Sequence, residues 1–149
     1  MANSEFDVFC RAAFDLLTQA RVRFLVIGGL AVAVIGEPRV TGDVDVVAFT
    51  STAGAERLID RAKAAGFDVD PAAERERLRT TGTLRFRRGR YQLDVIRASL
   101  PFEDAALARG MRRRLFGRMV RLPTAPSTAQ RPRAMAGPCP TRRGSSTRG

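Results

Sequence analysis

Histidine and tryptophan are absent from this sequence, and tyrosine and lysine each occur once. Without an imidazole group there can be no Ser-His-Asp or Cys-His catalysis and no zinc site of the HExxH kind. Any catalysis must therefore depend on carboxylates, hydroxyls, basic groups or metals bound by carboxylates. With Tyr91 as the single tyrosine, aromatic side chains that could stack on nucleic-acid bases are also sparse.

Features typical of secreted and membrane proteins are missing as well. Cys10 and Cys139 are far apart and form no CxxC motif, which fits a reducing compartment and gives no disulfide framework. The longest apolar run, residues 24–36, is shorter than the roughly 20 residues that a bilayer span needs. The N-terminus, MANSEFD, lacks a charged-then-apolar signal pattern. We expect a soluble, cytoplasmic protein with no membrane partner.

Basic residues are abundant. The chain has 26 basic and 15 acidic residues, a net charge of +11, and residues 123–149 contain five arginines and no acidic residue. A basic protein attracts polyanions such as RNA, DNA and nucleoside triphosphates. Charge alone does not separate a nucleic-acid role from simple solubility, because it affects association and not the fold.

Residues 1–122 carry the periodic patterns of one α/β domain. We predict a small mixed β-sheet flanked by helices, with hairpin turns at Gly89-Arg90 and around Gly117. The predicted helices are 5–20, 30–35, 53–65, 71–79 and 102–109. The predicted strands are 24–27, 43–49, 67–69, 83–88, 91–96, 112–116 and 118–122.

Beyond residue 122 these patterns stop. Residues 123–149 are mostly Pro, Ala, Thr, Ser, Arg and Gly, with almost no large apolar side chain. Such a segment cannot bury enough surface to offset the entropy cost of ordering, so we predict a disordered basic tail. The abrupt change of composition, with 25 arginines and one lysine in the chain, leads us to hypothesise a shifted reading frame in a GC-rich gene.

Three aspartates are candidate metal ligands. Asp43 and Asp45 lie two apart at the start of a predicted strand, so their side chains face the same side. Asp94 lies in the strand-like stretch YQLDVI, where a lone carboxylate is costly unless it is paired or metal-bound. Magnesium suits carboxylate sites that are shared with phosphates. The alternatives are a solvated strand edge for the pair and an arginine partner for Asp94.

A phosphate site is indicated just before the aspartates. Gly28-Gly29 follows a predicted strand and precedes a helix, so backbone amides could approach a phosphate closely beside the helix N-terminus. Arg39 could reach phosphate oxygens, and Thr41 could hydrogen-bond in the same loop. A P-loop is excluded because no Gly-Lys-Ser/Thr run exists, and GGLAVAVIG does not fit the Rossmann pattern GxGxxG.

The stretch FLVIGGLAVAVIGEPRVTGDVDVV resembles the nucleotidyltransferase-fold proteins of the abortive-infection AbiEii and MNT-like groups. The family pattern is a glycine-rich turn, a helix, DxD or DxE, and a third carboxylate on a later strand. Gly28-Gly29, Asp43, Asp45 and Asp94 match this pattern, and the run from Arg39 to Asp45 resembles the AbiEii-like subset. The resemblance covers about residues 5–122 and implies a fold of the polymerase-beta palm type.

The resemblance also implies a function. Asp43, Asp45 and Asp94 would hold two magnesium ions, and a nucleoside monophosphate would pass from a triphosphate to a hydroxyl of RNA, protein or a small molecule. Some relatives are toxins paired with an antitoxin. Many relatives have Gly-Ser in place of Gly28-Gly29, and they continue after a segment like VRLP into a helix with a Lys-Asp pair. Residues 124–149 contain neither lysine nor aspartate; if the reading frame is shifted, the chain lacks this helix, and we expect weakened activity.

Two other readings of the sequence remain. In one, the chain is a non-catalytic nucleic-acid binder whose arginines in RFRRGR (85–90) and RRR (112–114) contact phosphates. In the other, it is a truncated, inactive homologue that binds a protein partner through the same fold.

Overall fold

The computed structural model describes residues 4–35, 42–98, 101 and 103–124, which form a mixed α/β fold with a four-stranded mixed sheet flanked by helices. The predicted fold class is therefore confirmed. The helices are α1 (Glu5–Gln19), α2 (Gly28–Ile35), α3 (Thr52–Ala64), α4 (Pro71–Thr81) and α5 (Glu103–Ala108). The strands are β1 (Arg23–Ile27), β2 (Asp43–Phe49), β3 (Thr83–Arg88), β4 (Tyr91–Ala98), β5 (Gly110–Leu115) and β6 (Arg118–Pro123).

The helix ends follow from local residue chemistry. The side chain of Ser4 accepts a hydrogen bond from the Asp7 amide at the start of α1, and Ser51 does the same for Gly54 at α3. At α4, Asp70 caps the first turn, and Gly82 ends the helix in the left-handed conformation that favours glycine. These polar and glycine positions divide the chain into short elements.

The four-stranded sheet has the order β1-β2-β4-β3. β2 pairs with β4 in parallel, whereas the β1–β2 and β3–β4 pairs are antiparallel. β5 and β6 form a separate antiparallel hairpin, whose turn contains Phe116 and Gly117, both with positive φ. The parallel pairing brings the starts of β2 and β4 to the same edge of the sheet.

One face of the sheet forms the main core. Alternate residues of all four strands pack there with the apolar sides of α1 and α3, and their side chains are almost completely buried. Cys10 is also buried in this core, and burial raises the pKa of its thiol to about 12. A second, smaller cluster of Leu25, Phe49 and Leu107 lies on the other face. The rest of that face is free for polar residues.

Several element bounds differ from the predicted ones, and three of these differences bear on the fold. Residues 67–69 form no strand; Asp68 makes a single bridge to Arg87, because α4 follows too closely for a longer ladder. α2 begins at Gly28 itself, two residues before its predicted start. β6 extends through Pro123, one residue past the predicted domain end. The predicted tail disorder and reading-frame shift concern residues that, from 125 onward, lie outside the described part.

Within the described residues, no helix is both long and apolar enough to span a bilayer.

Candidate active site

Alternation along β2 separates its carboxylates from its core residues. Val44 and Val46 are fully buried, whereas Asp43 is exposed and Asp45 is half-buried. Because successive side chains of a strand point to opposite faces, both aspartates lie on the face opposite the main core.

The third aspartate lies on the same face. In the parallel β2–β4 ladder Asp45 is in register with Asp94, and Asp43 is in register with Gln92. Residues in register on neighbouring strands point to the same side, and such strands are about 4.8 Å apart. Asp94 alternates with the buried Leu93 and Val95, as Asp45 does with its valines. The structure therefore brings Asp43, Asp45 and Asp94 together on one side of the sheet.

β3 completes this surface with basic residues. Leu84 and Phe86 are buried in the main core, so Arg85 and Arg87 point to the other side. We call the surface formed by these residues the polar face. Its members are Asp43, Asp45, Arg85, Arg87, Gln92 and Asp94.

Gly28 lies directly beneath the Asp45 carboxylate. Its φ of 71° is in the left-handed region, and a Cβ atom at this position would collide with Asp45 Oδ2. Both requirements exclude larger residues, so glycine here is explained by the fold as well as by any phosphate. Gly29 lies in the first turn of α2. Arg39 and Thr41, the other predicted phosphate contacts, lie outside the described residues.

The surroundings of Asp45 disfavour its ionised form. Burial raises the pKa of this carboxyl group, and the nearby charges of Asp94 and Asp43 raise it further. A cation bound beside Asp45 would relieve both effects, because it supplies positive charge where solvent is partly excluded.

Asp94 already has two hydrogen-bond partners, Arg85 and Gln92. Arg85 Nε donates to Asp94 Oδ1 at 2.9 Å, and Gln92 Nε2 donates to Oδ2 at 2.8 Å. The Arg85 amide donates outward to Glu74, so Arg85 and Asp94 form a non-hydrogen-bonded backbone pair, in which side chains are closest. The alternative of an arginine partner for Asp94 is therefore what the structure has.

A signal for this partner was present in the sequence. A two-residue turn at Gly89-Arg90 pairs Arg88 with Tyr91. Three residues further from the turn on each strand, the same register pairs Arg85 with Asp94. The register of the predicted hairpin would have given the pair.

The residues of the polar face fit a hard divalent cation by their chemistry, since three carboxylates supply oxygen ligands. These side chains are not arranged as a metal site in the structure. Among the described residues, no group of three acidic or cysteine side chains is positioned to hold a metal ion. Both oxygens of Asp94 are engaged by Arg85 and Gln92. A shared cation would require Asp94 to exchange at least one of these hydrogen bonds for the ion.

Comparison of the chain with models of protein families and with curated proteins finds no match.

Proposed function

We propose that this protein transfers a nucleoside monophosphate from a nucleoside triphosphate to a hydroxyl group of an RNA end or a protein side chain. The observation that carries the proposal is the register of Asp45 with Asp94 on the polar face, directly above Gly28. Carboxylates from two parallel strands can bind the metal ion of a metal-triphosphate complex. The glycine backbone beside them lets the phosphates approach closely.

The roles follow from the positions of the residues. Asp43 and Asp45 would hold magnesium that carries the triphosphate, and Asp94 would share a second ion. The exposed Gly28 and the half-buried Gly29 at the start of α2 would place phosphate oxygens near the positive end of the helix dipole. Arg39 and Thr41 are proposed as further phosphate contacts on sequence grounds alone.

The reaction forms one bond and breaks one bond. The acceptor oxygen attacks the α-phosphorus while the bond from that phosphorus to the bridging oxygen breaks, and pyrophosphate leaves. Asp94 would take up the acceptor proton, which requires that Arg85 release its hydrogen bond to this carboxylate. Bound magnesium would supply charge stabilisation at the attacking and leaving oxygens.

The second candidate function is that of a catalytically weak or inactive homologue that binds nucleic acid or a protein partner. The pairing of Asp94 with Arg85 and Gln92 favours it, because a satisfied carboxylate has less tendency to bind a metal. The exposed arginines of β5 would supply phosphate contacts in that case. A role as the toxin of a toxin–antitoxin pair, with an antitoxin as partner, and a cytoplasmic location remain predictions of the sequence.

The test is label transfer from α-phosphate-labelled nucleoside triphosphates in the presence of magnesium and either tRNA or a protein mixture. We expect magnesium-dependent release of pyrophosphate and a labelled acceptor. Asp45→Asn should lower the rate by about a hundredfold or more, the scale on which a single transition-state contact acts. Glu56→Gln is the matched control, because Glu56 is an exposed carboxylate on α3, a helix packed against the opposite face of the sheet.

Equal transfer rates for Asp45→Asn and Glu56→Gln would contradict the proposed site. Absence of pyrophosphate release with every acceptor, together with retained binding of tRNA or of a protein, would favour the second candidate.

A further inference from the structure

A second site that suits a phosphate group lies at the start of β1, away from the polar face. A cleft of about 410 Å³ opens between the end of α1, the start of β1 and the β5–β6 hairpin. Arg23 at this cleft begins β1, whereas Ile27, the register partner of Asp45, ends it. Four residues of strand span about 13 Å, so the cleft is separate from the polar face.

Four arginines line this cleft, which we call the arginine cleft. They are Arg21, Arg23, Arg112 and Arg121. Of the described residues that line it, none is acidic. Gathered positive charges repel one another unless an anion lies among them.

Two of these arginines already have partners. Arg23 forms an ion pair with Glu103 at 3.3 Å, and Arg121 donates to the Leu107 carbonyl oxygen at 3.1 Å. Within the described part of the chain, the guanidinium groups of Arg21 and Arg112 have neither an ion pair nor a hydrogen bond. Their donors are therefore available to a ligand.

The backbone of Arg21 adds an independent indication. α1 ends in a pair of hydrogen bonds, from the Arg21 amide to Thr18 O and from the Val22 amide to Leu17 O. This helix end normally has glycine at the left-handed position, yet Arg21 occupies it with φ 57°. A long side chain at a position that favours glycine is a cost to the fold, and such costs concentrate at functional positions.

Apolar side chains accompany the arginines. Phe24 is half-buried at the cleft, and Met119 is 51% exposed although it is a large hydrophobic residue. Guanidinium groups bind phosphate in a bidentate manner, and the volume is within the range of sites for small ligands. A ligand with both a phosphate and a flat apolar ring system would use all of these groups.

We propose that the arginine cleft is a binding site for the phosphate and base of a nucleotide, either free or as part of a single strand. The proposal does not depend on the activity of the polar face. The chain's own residues 125–149 are an unsuitable occupant, because they carry arginines and no acidic residue.

The test measures binding of ADP by calorimetry and of a labelled ten-nucleotide oligouridylate by fluorescence anisotropy, both in EDTA. Chelation removes any metal-dependent binding at the polar face. The double variant Arg21→Gln/Arg112→Gln should weaken binding by about tenfold or more, the scale of charge-assisted hydrogen bonds. The matched control is Arg57→Gln/Arg61→Gln, which removes the same charge from exposed positions on α3.

Arg21→Gly separates binding from folding. It removes the guanidinium group and places the preferred residue at the end of α1, so the melting temperature should not fall while the affinity does. Both affinities are measured in EDTA, so this test can succeed even if the transfer activity of the polar face is never detected.

The two probes distinguish the source of the phosphate. ADP binding that the double variant weakens indicates a free nucleotide, and oligouridylate binding alone indicates a strand. No binding of either probe, or equal loss in the cleft and control variants, would overturn the proposal.

Discussion

The carboxyl group of Asp45 is held where its ionised form is disfavoured. Burial is the largest cause of its raised pKa, followed by repulsion from Asp94 and Asp43. Because the folded-state pKa lies above the unfolded value, Asp45 favours folding while it is protonated, and that contribution is lost as the pH rises through the folded-state pKa. At neutral pH without a metal, the charge on Asp45 therefore works against the fold.

Replacement of Asp45 by asparagine should consequently raise the melting temperature at pH 7 in EDTA. The gain should shrink as the pH falls through the raised folded-state pKa and vanish below about 4, where the wild-type carboxyl group is protonated in both states. Added magnesium should raise the melting temperature of the wild type and not that of the variant. Thermal melts across pH, with Glu56→Gln as the control, measure this. A lower melting temperature for Asp45→Asn at pH 7 would show that the charge of Asp45 does not destabilise the folded protein.

The sequence was informative about which carboxylates share a face, and less so about what they contact. Strand alternation alone predicts that Asp43 and Asp45 point the same way, and the structure agrees. Whether Asp94 joins them depends on which strands are neighbours. That is decided by long-range packing, which a local pattern does not contain. The contact of Arg85 with Asp94 could have been predicted, because a short hairpin turn fixes the register of the two strands that it joins.

At the scale of whole elements, the β5–β6 hairpin is attached to the rest of the fold by few polar contacts. Arg118 binds Asp15 of α1 through two hydrogen bonds, of 2.7 and 3.1 Å. The hydrogen bond from Arg118 is the largest cause of the lowered pKa of Asp15. A carboxyl group with a lowered pKa adds stability above its unfolded pKa and loses it as the pH falls through the folded value.

Removal of the contact between Asp15 and Arg118 should lower the free energy of unfolding by a small amount that depends on pH. The pair is partly exposed, so Asp15→Asn should cost about 0.2–1 kcal/mol at pH 7, the range for surface pairs. At a pH below the lowered folded-state pKa of Asp15, the variant and the wild type should melt alike. Arg118→Gln should give the same loss, and the double variant should lose little more than either single one. Fully additive losses would mean that the two residues stabilise the fold independently.

Several helix boundaries were predictable because they coincide with capping residues. Ser51, Asp70 and Gly82 begin or end helices as their side chains or backbone freedom require. The predicted strand at residues 67–69 was wrong, because a short apolar stretch is as compatible with core packing as with a strand. Phe67 is indeed buried in the main core, and only Asp68 pairs with β3.

Across the described fold, the two proposed phosphate sites differ in the charge of the residues that would hold the ligand. The acidic residues of the polar face lie at one end of β1, and the arginine cleft lies at the other. A phosphate ligand would thus meet three carboxylates in one place and four arginines in the other. Without a bound cation, the aspartates of the polar face repel phosphate, whereas the arginine cleft attracts it. Nucleotide binding should therefore need a metal ion at the polar face and none at the arginine cleft.

Residues 125–149 should contribute to this attraction without contributing to the described core, whose buried side chains all come from residues 9–122. A variant that ends at Thr124 should therefore melt cooperatively, within about 3 °C of the full chain. Its oligouridylate affinity should fall less steeply with salt, by up to about 3.5 units in the log–log slope for five lost charges. Glutamine at all five tail arginines in the full-length chain should reproduce that slope. Loss of cooperative unfolding on truncation would instead assign these residues a part in the fold.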